Sequence, residues 1–213
     1  MCGVAGLVNL NGEAVSPAIL RRMTDAIAHR GPDGEGQWID RNIGLGHRRL
    51  AIIDLSPAGH QPMVSADNRY VITYNGEIYN YRELRAELEI EGFRFRSQSD
   101  TEVLLYAITA WGVKALGKLN GMFAFALWDK QEQRLLLARD RYGIKPLYYA
   151  TTGDTLSFGS EQKAILSQPG FSRRLDKEAL LEYFTFQNIF TDKTLLQGIK
   201  LFPAGHYGIL DLS

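Results

Sequence analysis

Apolar positions along this chain fall into two rhythms, one running together or alternating every second residue, the other recurring every third and fourth. Residues 2–10 are of the first kind: Val4, Leu7, Val8 and Leu10 are diluted by Gly3 and Gly6, which reads as a strand open to close approach by another backbone or a ligand. Ser16-Pro17 then supplies an N-cap with proline at the first helical position, and Ile19, Leu20, Met23 and Ile27 share one face of a helix reaching His29. His29-Arg30-Gly31-Pro32-Asp33-Gly34 breaks it with turn residues. Residues 37–39 and 43–49 follow as the strands of a hairpin. The pair Arg48-Arg49 enters an apolar strand that buries alternate side chains, so one guanidinium should face a ligand or a buried carboxylate.

After a Pro- and Gly-containing segment at 56–62, Tyr70-Val71-Ile72-Thr73-Tyr74 is rich in β-formers and stops at Asn75-Gly76-Glu77. Asn-Gly reads as a hairpin turn, or else as a strand end presenting a side-chain amide beside a backbone N–H, the pair an oxyanion hole requires. Asn80-Tyr81-Arg82-Glu83 and Ser99-Asp100-Thr101-Glu102 both have the form of capping boxes. The helices they open carry Leu84 and Leu88, and Val103, Leu104, Ala107 and Ile108, as apolar faces. Asp100 falls in a first turn, where a carboxylate favours the helix dipole whether or not it binds anything. Residues 121–128 and 134–139 are strands joined by a short polar connection, hence antiparallel. The charged turn Asp140-Arg141-Tyr142-Gly143-Ile144-Lys145-Pro146 leads to strands at 147–150 and 156–158, then helices at 161–166 and, after Asp176 as N-cap, 177–186. Grouped antiparallel strands flanked by helices predict an α+β fold with sheets covered by helical layers, and no repeat or linker divides it.

Charge narrows the partner. Lys plus Arg and Asp plus Glu are 24 each, and no basic stripe stands out, so a nucleic-acid partner is not expected. The longest apolar run, Met122-Phe123-Ala124-Phe125-Ala126-Leu127-Trp128, is far too short for a membrane span. Asn9, Asn11 and Glu13 spoil a signal peptide, and Cys2 stands where N-myristoylation needs glycine, so no membrane association is expected. His29, His47, His60 and His206 are scattered without ligand spacing, and no metal site is expected. A single cysteine excludes an internal disulfide framework and suits a cytoplasmic location.

That cysteine is residue 2. A small residue after Met1 is the context in which the initiator is trimmed, and trimming would leave a free α-amine beside a thiol. Their reference pKa values are roughly 8 and roughly 8.5, so nucleophile and base would share one residue at neutral pH. The plain alternative is a small buried hydrophobe.

Read together, Met1-Cys2-Gly3, His29-Arg30-Gly31-Pro32-Asp33, His47-Arg48-Arg49-Leu50-Ala51-Ile52-Ile53-Asp54, Asn75-Gly76-Glu77-Ile78-Tyr79-Asn80 and Ser99-Asp100-Thr101-Glu102 closely resemble the glutaminase domain of class II, N-terminal-nucleophile glutamine amidotransferases. The His-Arg-Gly-Pro-Asp form, Gly121-Met122-Phe123-Ala124-Phe125-Ala126 and the run from Arg139 to Tyr149 fit the glutamine-hydrolysing asparagine synthetase branch. The resemblance extends from Cys2 to about Tyr207.

It implies a four-layer αββα sandwich occupying residues 1–213, with Cys2 as nucleophile toward the γ-amide of L-glutamine and its α-amine as proton shuttle. Asn75 and Gly76 would hold the oxyanion, Arg49 the substrate α-carboxylate, and Asp100, with Glu77, the α-ammonium. Leu50, Ala51, Ile52 and Ile53 would line the pocket, and Arg30 and Asp33 are assigned to a supporting loop that closes over the substrate. A guanidinium fork facing a carboxylate across a cavity also suits a zwitterion on physical grounds alone. His47 invites a thiol–imidazole dyad, but a dyad gives no reason for cysteine at position 2. The branch carries a second domain using ATP and magnesium, marked by Ser-Gly-Gly-x-Asp-Ser. Neither that motif nor a Walker A loop occurs here, so no cofactor is expected in this chain and the synthetase domain would act in cis or in trans. Aspartate is the default ammonia acceptor. Another carboxylate acceptor, a non-catalytic docking module of the same fold, and a homodimer are left open.

Overall fold

Period-two burial sorts the strand side chains onto two faces, and in this chain both faces are covered. The computed structural model describes residues 1–213. Its elements are β1 (Gly3–Asn9), α1 (Pro17–Asp25), β2 (Gly34–Asp40), β3 (Ile43–Arg49), β4 (Met63–Val64), β5 (Tyr70–Ile78), α2 (Tyr81–Ile90), α3 (Asp100–Trp111) and α4 (Ala115–Lys118). They continue with β6 (Gly121–Asp129), β7 (Arg134–Arg139), β8 (Tyr148–Thr152), β9 (Thr155–Gly159), α5 (Gln162–Leu166), α6 (Lys177–Phe186), β10 (Lys200–Leu201) and β11 (Tyr207–Asp211). The strands form two antiparallel sheets, ordered β10-β8-β9-β1-β3-β2 and β11-β7-β6-β5-β4.

Val4 and Val8 of β1, with Ile43 and Leu45 of β3, pack across the inter-sheet space onto Val71 of β5 and Ala124, Ala126 and Trp128 of β6. The opposite face of β1, Ala5 and Leu7, meets Leu20, Met23 and Ile27 of α1 and Ala164 of α5. On the far side, Ile72, Tyr74 and Ile78 of β5 and Phe123 and Phe125 of β6 pack on α2 and α3 through Leu84, Leu88, Val103 and Leu104. The result is helix, sheet, sheet, helix, the α+β sandwich the motifs implied. Gly46 of β3 lets α1 lie close, since a Cβ there would collide with the Thr24 methyl.

Four local expectations are corrected. The first α-helix stops at Asp25, and a separate 3-10 turn spans Ala28–Arg30. Of the two readings of Asn75-Gly76 the strand holds and the turn fails, but β5 does not stop there: it runs through to Ile78 and pairs with β6 over its whole length, from Tyr70 opposite Asp129 to Ile78 opposite Gly121. The Asn80 capping box does not form, because the Asn80 amide donates to the Lys118 carbonyl at 3.0 Å and accepts from the Asn120 N–H at 2.9 Å, tying two loops together instead. Ser99 does cap α3 through the Thr101 N–H, but Glu102 turns to the N–H groups of Arg96 and Ser97 (3.0 and 2.7 Å), so the box is half made. Strands β4, β10 and β11 were not foreseen. No helix is long and apolar enough to cross a membrane.

Candidate active site

Strand parity brings the chemistry together. Cys2 shares the face of Val4 and Val8, Arg49 that of Ile43 and Leu45, and Asn75 that of Val71, so all three side chains point between the sheets. They meet at one end of the sandwich, in a cleft of about 160 Å³. Its lining contains Cys2, Arg49, Leu50, Ala51, Ile52, Ile53, Asn75, Gly76, Glu77 and Asp100, every residue the sequence nominated for nucleophile, oxyanion and substrate.

Cys2 is half-buried, and its Sγ accepts from the Leu50 N–H at 3.3 Å. Burial pushes the thiol pKa up, opposed by that N–H and by the positive chain terminus. The carbonyl of Cys2 accepts from Arg30 Nε at 2.9 Å, and Arg30 Nη1 in turn pairs with Glu161 at 3.0 Å. Asp33 accepts from the Ala51 N–H at 2.9 Å. Arg30 and Asp33 therefore lie outside the cleft lining and brace it from behind, one gripping the Cys2 backbone and the other the 50–53 segment.

On β5, the Tyr74 N–H donates to the Gln61 side chain at 2.7 Å and the Ile78 N–H to Asp100 Oδ2 at 3.0 Å. Both are directed away from β6, so by alternation the Gly76 N–H between them is directed to the same open edge. Beside it, Asn75 is 1 % exposed and its Nδ2 has no hydrogen-bond partner. A buried amide donor left free is costly unless something else receives it. Gly76 is required for packing as well: a Cβ there would lie 2.6 Å from the Tyr74 ring and 2.9 Å from Phe123 Cα.

Asp100, at the start of α3, accepts from the Tyr74 hydroxyl at 2.8 Å as well as from Ile78. Burial raises its pKa, countered by those two donors. Tyr74 is pushed well above the ordinary phenol range, first by burial and then by the Asp100 charge, so it remains a donor. Opposite, Arg49 is seated by the carbonyls of Ser56 (3.0 Å) and Asp54. The neighbouring Arg48 takes the other face and pairs with Asp25 and with Glu35 at 2.6 Å. One arginine of the pair thus meets carboxylates and the other the cleft.

His47 is outside the lining. It is fully buried, its Nε2 lies 3.1 Å from the Tyr74 carbonyl, and burial pushes its pKa down to about 3. It is no partner for the thiol. Sequence reasoning missed Gln61, Tyr74, Thr101, Met122 and Lys145, which also line the cleft. Only Lys145 had a signal, its place in the charged turn after β7.

Comparison with known proteins gives a model described as glutamine amidotransferase domain, matched by residues 1–212. The chain is 44% identical over 208 residues to asparagine synthetase [glutamine-hydrolyzing] 1 of Bacillus subtilis, covering 96% of this chain and 33% of that protein. It is 37% identical to amidase chry2 of Gibberella zeae, covering 97% and 32%. Among solved structures, glutamine phosphoribosylpyrophosphate amidotransferase from B. subtilis superposes with a TM-score of 0.68 over all of this chain and 49% of that one, at 20% identity, a likeness of fold. The chain spans about a third of the length of the relatives it matches.

Proposed function

Because the chain belongs to the glutamine amidotransferase domain family, we propose that it hydrolyses L-glutamine to glutamate and ammonia at the Cys2 cleft. The observation that carries this reading is the convergence of the Cys2 thiol, the free Asn75 amide, the Arg49 guanidinium and the Asp100 carboxylate on one cleft. Arg49 receives the α-carboxylate. Asp100 and Glu77 receive the α-ammonium, which sets the γ-amide before the sulfur.

With Met1 removed, the neutral α-amine of Cys2 takes the thiol proton as sulfur bonds to the carbonyl carbon of the γ-amide and the carbonyl electrons move to oxygen. Asn75 Nδ2 and the Gly76 N–H stabilise that oxyanion. Collapse breaks the carbon–nitrogen bond, the amine returns the proton to nitrogen, and ammonia leaves a γ-glutamyl thioester. Water, deprotonated by the same amine, cleaves the thioester to glutamate and restores the thiol. These steps are assigned to a single domain spanning residues 1–213. Cytoplasmic conditions would keep Cys2 reduced.

The name of the B. subtilis relative supports aspartate as the eventual ammonia acceptor, with ATP and magnesium held by a synthetase domain in cis or in trans. The amidase from G. zeae keeps a different acceptor in view. Neither choice is made by residues 1–213. The test is intact mass of the processed chain after an electrophilic glutamine analogue, with ammonia release measured in parallel. One adduct on Cys2, and no ammonia from Cys2→Ala, is expected. Turnover surviving in Cys2→Ala would defeat the reading.

A further inference from the structure

Lys145 lines the cleft but has no part in the steps above. The turn that carries it is fixed from both sides. Asp140 accepts from the N–H groups of Phe123 (3.1 Å), Tyr142 (3.2 Å), Ile144 (2.9 Å) and Lys145 itself (2.9 Å). Arg139 donates to the carbonyls of Lys145 (2.8 Å), Gly143 (2.6 Å) and Phe202 (2.6 Å). The side chain is 4 % exposed, makes no ion pair, and ends 3.3 Å from the sulfur of Met1. A buried ammonium with only a thioether to meet is an expensive arrangement. Its position is next to the residue whose loss creates the base.

Other charged or titratable groups around Cys2 come from each wall: Arg30 before β2, Arg49 on β3, Tyr74 and Glu77 on β5, and Asp100 on α3. Glu161 neutralises Arg30, and Arg49 is held for the substrate carboxylate. Glu77 and Asp100, needed for the substrate ammonium, would by themselves keep a nearby α-amine protonated and inactive. Lys145 is the remaining cation. We propose that Lys145 is a positioning residue which, after Met1 is removed, holds the Cys2 α-amine in its neutral, proton-accepting form against those two carboxylates. The same cation favours the thiolate, so one charge moves both halves of Cys2 toward their reactive states.

This inference rests on the glutaminase reading, and two measurements separate them. In processed protein labelled with 15N-cysteine, the sole cysteine gives one amine signal whose pH titration needs no turnover. Lys145→Gln should raise its midpoint by about one pH unit or more, and Lys145→Arg should restore it. In parallel, kcat/KM for glutamine in Lys145→Gln should fall about tenfold on the acid side of the profile and recover within about twofold on the alkaline side, since one unit is tenfold. An unmoved midpoint, or an equal loss at every pH in both variants, would overturn the role of Lys145. A midpoint shifted by Lys145→Gln, in a protein whose wild type releases no ammonia, would keep the electrostatic link and reject the glutaminase reading.

Discussion

The two walls of the cleft are built in opposite ways. Asn75 and Gly76 lie in β5, laddered to β6 from end to end, with Asn75 almost fully buried. The facing wall, residues 50–55, has no ladder, and Ile52 and Leu55 are 67 % and 75 % exposed. It is held by a few side-chain bonds: Asp33 to Ala51, Asp54 to the N–H groups of Ser56 and Gln98, and Arg49 to two carbonyls. On the proposed mechanism, the stiff wall carries the groups that meet developing charge, where small displacements are costly. On the proposed reading, the softer wall borders the Arg49 end that takes the carboxylate, while Glu77 and Asp100 on the stiff side take the ammonium.

That division can be broken in order of expected effect. Asn75→Ala should lower kcat for ammonia release by about 10²–10³-fold with KM nearly unchanged, the cost of one oxyanion donor. A loss in KM alone would move Asn75 to the recognition side. Arg49→Ala should instead raise KM, by roughly 10- to 100-fold if the charged contact is worth about 1.5–3 kcal/mol, and Arg49→Lys should recover only part because it loses the fork. Asp33→Ala frees one N–H of the soft wall and should raise KM several-fold, about 1 kcal/mol, with melting temperature little changed. A drop in kcat with constant KM would show that wall to be part of the chemistry.

The mildest test reaches the tether behind Cys2. Burial would raise the Glu161 pKa, but bonds from Arg30, Lys163 and His29 outweigh it and bring it down to about 2, against 4.5 for a free carboxylate. A depressed folded pKa means stability that is present above 4.5 and lost as pH falls toward 2. Glu161→Gln should flatten that part of an acid-unfolding curve and lower neutral stability by the amount the wild type loses over it, the two proteins converging at the acid end. Equal acid slopes in the two proteins would remove Glu161 from the tether.

Much of this was visible before the fold because the site residues lie in short contiguous motifs, and for those on strands parity alone decides which way they face. Arg48 and Arg49 show it: adjacent in sequence, they part to opposite faces of β3. What stayed hidden depends on distance along the chain. Lys145 meets Met1 across 144 positions, and Asn80 gave up its cap for contacts near Lys118. Strand β11 escaped notice because it is an edge with Tyr207 and Ile209 exposed, and β4 and β10 are too short to leave a pattern.

β1 lies inside its sheet, between β9 and β3, and its leading end opens directly into the cleft, where Met1 forms part of the lining. Anything joined ahead of Cys2, an affinity tag or a fused protein, would have to thread through the room meant for the substrate. Such additions belong at the other terminus. On the proposed mechanism, loss of Met1 would be a single irreversible cut, made once in the lifetime of each molecule, that switches it on.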